Sequence, residues 1–211
     1  MDQNSQLFKP LTLRQVRLPN RLVVSPMCQY SAVDGIANDW HFAHLAKFAL
    51  GGWGTVIVEA TAISSEGRIS AGDLGLWDDR QIEPLRRITR FLKEHGSVPA
   101  IRIAHAGRKA SSQRPWHGNG PLSSADEAHG DFAWPTIAPS GIPLSKGWHT
   151  PSEMSTDEIE AISVKFGEAA ARAFEAGFEI AEIHAAHGYL LHQFLSPITQ
   201  CSARSCPIRA S

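Results

Sequence analysis

Four short runs rich in β-branched residues recur along the chain, each followed by a segment of helical periodicity. They are "RLVVSP" (21–26), "TVIVEATA" (55–62), "VPAIRIAHAG" (98–107) and "FEIAEIHAA" (178–186). This rhythm constrains the fold more than any single motif, because parallel strands must be joined by long crossovers, which helices supply. The first helical segment, "DWHFAHLAKFALGG" (39–52), ends at Gly51 and Gly52, and "DRQIEPLRRITRFLKEHG" (79–96) is closed by Gly96. In the third, Ser155 and Glu158 form a capping box and Met154 is set to staple onto Ile159. Ile159, Ile162, Phe166, Ala170 and Phe174 then keep helical spacing up to Gly177. The expected fold is α/β with four βα units, the last holding only the beginning of its helix. No internal repeat is evident beyond the rhythm itself.

Between the third strand and the third helix, residues 108–152 are rich in Pro, Gly and Ser. The segment is too long for a plain connector and reads as a functional excursion over the site.

Composition narrows the partners. With 43% hydrophobic and 19% charged residues and a formal net charge of -1, the 211-residue chain has the make-up of a globular protein with a sizeable core. No basic stripe favours nucleic acid or an anionic membrane surface, and no run of 18 apolar residues occurs. The start, "MDQNSQLFKP", lacks a basic segment followed by an apolar one, so a cytoplasmic location is expected. Cys28, Cys201 and Cys206 are odd in number and form neither a disulfide framework nor a zinc spacing, so reduced thiols are expected. A small-molecule partner is the default.

The C-terminal ends of the four strands carry reactive groups: Cys28 and Tyr30 after the first, Thr61 after the second, His105 and Lys109 after the third, His184, His187 and Tyr189 after the fourth. In a parallel α/β barrel that edge is the active-site face. Other readings compete residue by residue. Cys28 can be a small buried hydrophobe, and His41 and His44, three apart on a helix, can be packing and capping residues. His184 and His187 can ligate zinc only if the chain turns between them, and no clear third ligand follows, so no metal is expected. Two imidazoles donating to a substrate oxygen, beside a tyrosine hydroxyl acting as proton donor, use this trio more fully.

Taken in order and spacing, "NRLVVSPMCQYSA", "VEATAISSEGRIS", "IAHAGRKA" and "EIHAAHGYLLHQFLSP" resemble the old yellow enzyme family of flavin-dependent ene-reductases. The likeness is closest to the branch with a cysteine after the first strand, which includes xenobiotic reductases, and it covers about residues 7–197. It implies a TIM (β/α)8 barrel holding FMN at its C-terminal mouth, reduced by NADPH or NADH and reoxidised by an α,β-unsaturated carbonyl compound. Enones, maleimides, quinones and nitro compounds all fit such a mouth. A short hairpin, up to about Asn20, would close the barrel bottom.

Carried over residue by residue, the resemblance implies that Ser25, Pro26, Met27 and Cys28 line the flavin, with the Cys28 thiol tuning its potential, and that Ala60 lies against the ring. It implies that Tyr30 contacts substrate, that His184 and His187 bind the substrate carbonyl oxygen, and that Tyr189 protonates the α-carbon after hydride reaches the β-carbon. Hydrogen bonds to a developing enolate oxygen act where charge appears. Arg102 stands where the family usually has a glutamine bonded to the flavin. By alternation it shares a face with Ala100 and Ala104, as Glu182 does with His184. It can therefore pair with Glu182, meet the flavin, or obstruct it.

After "FLSP" the chain reads "ITQCSARSCPIRAS", which has no periodicity and does not resemble the family. The expected organisation is a partial barrel over 1–197 with a non-family tail over 198–211. Such a half-barrel would lack the phosphate site after strands seven and eight, leaving a catalytically inactive chain with weak FMN binding as the alternative reading. It would also expose inner strand faces near Val58 and Ile180 and leave the first and fourth strands as edges, which favours a homodimer.

Overall fold

The computed structural model describes residues 5–199, so Cys201, Cys206 and most of the 198–211 segment lie outside the described residues. In chain order the elements are β1 (Leu11–Leu13), β2 (Val16–Leu18), β3 (Val23–Val24), α1 (Asp39–Leu50), β4 (Thr55–Ala62) and β5 (Leu74–Gly75). They continue with α2 (Ile82–Glu94), β6 (Val98–Ala104), β7 (Ile137–Ala138), β8 (Ser152–Glu153), α3 (Thr156–Glu175), β9 (Ile180–Ile183) and α4 (Leu190–Leu195). Strands β3, β4, β6 and β9 lie side by side in that order, all parallel, and β5 pairs in parallel with the C-terminal end of β4. Strands β1 and β2 form an antiparallel hairpin whose turn, with Glu179, Ile180 and Ala181 at the start of β9, lines a cavity of about 730 Å³. The hairpin thus lies at the opposite end of the sheet from the reactive groups.

Each helix is started and stopped by local chemistry. The Asn38 side chain caps α1 and the His41 ring returns the bond, while Ser155 and Glu158 make the same reciprocal box on α3. Helix α2 carries Pro84 in its first turn, where a missing N–H costs nothing, and is followed by Gly96 at φ +78°. Helices α1, α2 and α3 cover one face of the sheet, where Val56, Val58, Ile101 and Ile103 pack with Leu45, Leu85, Leu92 and Ile162. On α3 the buried stripe runs through Ile162, Ala169 and Ala173, with Phe166 and Ala170 packed beside it. Ile159 and Phe174 fall outside it, and Phe174 is 81% exposed.

The other face carries two cross-strand rows: Ile57, Ala100 and Ile180, then Ala60, Arg102 and Glu182. Between those rows β4 has a bulge, because the pairing steps from Val58 to Ala60 while β6 advances only from Ile101 to Arg102. Glu59 is the extra residue. One expectation changes here. Val58 is fully buried beneath the helices and is not part of an exposed inner face. The exposed apolar side chains are instead on the flanking strands, at Val23 and Ile183. Strands β3 and β9 each have one partner among the described residues, so both are edges.

Candidate active site at the C-terminal strand ends

The chain leaving β3 forms the first wall. Ser25 and Met27 are exposed, Pro26 and Cys28 half-buried. Tyr30 adopts φ +51°, a left-handed conformation that a non-glycine residue holds only when its surroundings fix it. Three contacts do so. The Arg114 guanidinium donates to the Tyr30 carbonyl at 2.8 Å while gripping Asp131 with its other nitrogens at 3.1 Å. Trp116 meets the Tyr30 ring edge-on at 6.1 Å. Gly72 lies so close beneath that a β-carbon there would overlap the Tyr30 carbonyl. Gly72→Ala is therefore expected to cost about 1–3 kcal/mol, as overpacking does when the obstacle is backbone. A urea titration of both chains measures the cost, and an unchanged midpoint would contradict this packing.

The second wall is the exit of β9. The strand ends at Ile183, and the chain turns so that His187 at φ +56° and Gly188 at φ +72° bring residues three apart back together. The His184 and His187 rings meet edge-on at 5.0 Å, and the His184 and Tyr189 rings at 4.9 Å. Two braces hold the turn: Lys109 Nζ donates to the His187 carbonyl at 2.6 Å, and Gln193 Nε2 donates to the carbonyls of Gly188 and Ala106. Burial, with Arg102 and His187 adding to it, lowers the His184 pKa to about 4, so its ring is neutral at physiological pH. Burial, then Cys28 and Asp73, pushes the Tyr189 hydroxyl above the ordinary phenol range. It is a held proton rather than a phenolate.

The two walls face each other. The Tyr30 hydroxyl and the Ala60 backbone lie beside the Cys28 sulfur, and both favour its thiolate. Burial, then the Asp73 and Glu59 carboxylates, pushes the Cys28 thiol up to about 12 against those two groups. On the sheet between the walls, Arg102 donates to Glu182 Oε1 through Nε at 3.1 Å and Nη2 at 2.8 Å, leaving Nη1 without a bond among the described residues. Of the readings open for Arg102, pairing with Glu182 is the one observed.

The structure thus brings together Cys28, Tyr30, Ala60, Arg102, His184, His187 and Tyr189. It does not bring in Thr61 or His105. Thr61 is fully buried with its hydroxyl on the Glu59 carbonyl, and the bulge turns it to the helix side with Ile103. His105 is 1% exposed, accepts from the Gly107 N–H, and points away from the inward row of Arg102 and Ala104. His41 and His44 serve packing and capping: His41 completes the α1 box and His44 packs edge-on against Phe48. Among the described residues no group of three His, Cys, Asp or Glu side chains is placed to hold a metal ion, and no helix is long and apolar enough to cross a membrane. Arg114, Trp116, Gln193 and Glu59 were not foreseen. Glu59 alone had a sequence signal, a carboxylate inside an apolar strand.

Parallel βα units with a polar, aromatic cluster at the C-terminal strand ends define a class of barrel enzyme wall. The chain belongs to the NADH:flavin oxidoreductase / NADH oxidase family, which matches residues 6–203 and whose cofactor is FMN. It is 47% identical over 199 residues to an NADH:flavin oxidoreductase of Gibberella zeae, covering 93% of this chain and 47% of that protein. It is also 47% identical over 197 residues to an NADPH dehydrogenase of Listeria monocytogenes, covering 92% and 52%. Among solved structures, morphinone reductase superposes with a TM-score of 0.78 at 27% identity, over 95% of this chain and 53% of that one. The old yellow enzyme from Trypanosoma cruzi superposes with a TM-score of 0.75 at 26% identity, over 92% and 54%. The chain spans about half the length of the curated relatives it matches, and its fold is the N-terminal half of a (β/α)8 barrel of the old yellow enzyme type.

Proposed function

We propose that this chain supplies the substrate-activating wall of an FMN-dependent NAD(P)H oxidoreductase that reduces activated alkenes, α,β-unsaturated carbonyl compounds above all. The observation that carries the reading is the contact of His184 with both His187 and Tyr189, opposite the Cys28–Tyr30 pair, in a chain of this family.

The residues present fit the ring of FMN. Met27 is 43% exposed at the end of β3, Ala60 offers only a methyl group, and Arg102 Nη1 is an unused cationic donor at the edge. In this reading Ser25, Pro26, Met27, Cys28, Ala60, Arg102 and His184 line the flavin, which when bound takes hydride from the nicotinamide and returns it to substrate. His184 and His187 donate N–H bonds to the substrate carbonyl oxygen, and the neutral state of His184 makes it a donor that does not titrate away near pH 7. Tyr189 holds its proton until the α-carbon needs it, and its raised pKa keeps that proton in place. Tyr30, braced by Arg114, limits the opposite side of the substrate.

The test is reduction of a cyclic enone by NADPH in deuterated water with FMN-loaded protein. The reading requires solvent deuterium at the α-carbon. Protium at that carbon, or no reduction with flavin bound, would overturn it.

A further inference from the structure

We infer that Glu59 is the positioning residue that fixes the Cys28 loop and governs the reactivity of its thiol. The inference deepens the reading of Cys28 as part of the flavin wall, but its test needs no flavin, so the two can fail separately.

The geometry starts at the bulge in β4. The extra residue there frees Glu59 from the ladder, and its side chain is 4% exposed beneath the loop leaving β3. Glu59 Oε2 accepts from the Gln29 N–H at 2.9 Å, and the backbone of the next residue, Ala60, lies beside the Cys28 sulfur. Two successive residues of β4 therefore face two successive residues of the loop, and Glu59 holds one of them by a hydrogen bond. A register without the bulge would turn one of them away.

The other carboxylate oxygen is the informative one. Glu59 Oε1 is buried without a hydrogen-bond partner, 3.8 Å from His41 Nε2, which is equally buried and unpartnered. His41 cannot neutralise a carboxylate: its Nδ1 accepts from the Asn38 N–H, and burial lowers its pKa to about 4. The remaining neighbour, Asp73, is 2% exposed and bonded to the Ile69 and Ser70 N–H groups and the Ser70 hydroxyl. It adds repulsion. Burial and Asp73 together push Glu59 up to about 8, so it is a neutral acid near pH 7 and an anion above that.

The groups facing Cys28 are then Glu59 and the Ala60 backbone from β4, Asp73 from the loop after β4, Tyr30 from its own loop, and Tyr189 from the end of β9. Once Glu59 ionises, two carboxylates oppose a thiolate that only the Ala60 backbone and the Tyr30 hydroxyl support. Cys28 consequently stays a thiol, a weak hydrogen-bond donor and a poor nucleophile, across the physiological range.

The experiment is alkylation of the full chain by iodoacetamide across pH, read at the Cys28 peptide by mass spectrometry. Wild-type Cys28 should be far slower than an ordinary thiol at mildly alkaline pH. Glu59→Gln keeps an acceptor for Gln29 but cannot ionise, so above the Glu59 pKa it should alkylate about tenfold faster, with its pH profile moved to lower pH. Glu59→Ala removes the same charge and also releases the loop, so it should raise the rate at every pH and move the profile at least as far. A Glu59→Gln profile superimposable on wild type would overturn the inference. So would a wild-type Cys28 that alkylates like a free thiol, which needs no variant to fold.

Discussion

Tyr189→Phe is expected to slow alkene reduction in the flavin-loaded protein by about 10²- to 10⁴-fold, the loss typical of a missing general acid. The substitution keeps the ring that meets His184 at 4.9 Å and the Lys109 ammonium 5.4 Å from its centroid, and it removes only the hydroxyl. Packing is therefore conserved and the proton is not. Reduction of the flavin by NAD(P)H uses no proton from Tyr189 and should proceed at nearly the wild-type rate. Rapid mixing resolves the two half-reactions. Equal slowing of both would show that Tyr189 acts by shaping the site and not as an acid.

Ile101→Ala is expected to destabilise the chain by about 2–5 kcal/mol, the range for deleting most of a buried aliphatic side chain. Ile101 is fully buried and stands in register between Val58 on β4 and Ala181 on β9, against the helix layer. The cavity left behind is enclosed on the sheet side and cannot collapse easily. Ile183→Ala is the contrast. Ile183 lies on the edge strand β9 and is 57% exposed, so its removal should stay within about 0.5 kcal/mol. Urea unfolding of the two variants reads the difference, and similar losses in both would mean that the described sheet edge is covered in solution.

Strand β4 spans the residues of "TVIVEATA", and the helix ends follow caps visible in the sequence at Ser155 and Gly96. Those features are local, so pattern and capping chemistry suffice to find them. The bulge is not local. It arises where β4 must satisfy both the β6 ladder and the loop after β3, and it inverts the facing of every later residue in the strand. Thr61 shows the effect. Counting alternately from Val58 sends Thr61 inward, whereas the observed pairing sends it outward with Ile103. His105 needed no such subtlety, since alternation from Arg102 and Ala104 already sends it to the helix side. The His184–His187–Tyr189 cluster was legible as chemistry, but its turn depends on Lys109 and Gln193, which approach from elements distant in sequence or just beyond it. Nothing in the composition of the 108–152 excursion marks Arg114 and Trp116 as the residues that reach Tyr30.

The central claim is that the Cys28, Ala60 and Arg102 surface and the histidine pair make one flavin-facing wall. It is tested most directly by titrating the purified chain with FMN in the presence of a phenol, following flavin fluorescence and the visible spectrum. Saturable quenching is expected, with a long-wavelength band when the phenol oxygen meets His184 and His187 over the ring, and the band should be lost in the His184→Ala/His187→Ala double variant. FMN fluorescence that never saturates, or a band that survives the double substitution, would contradict it.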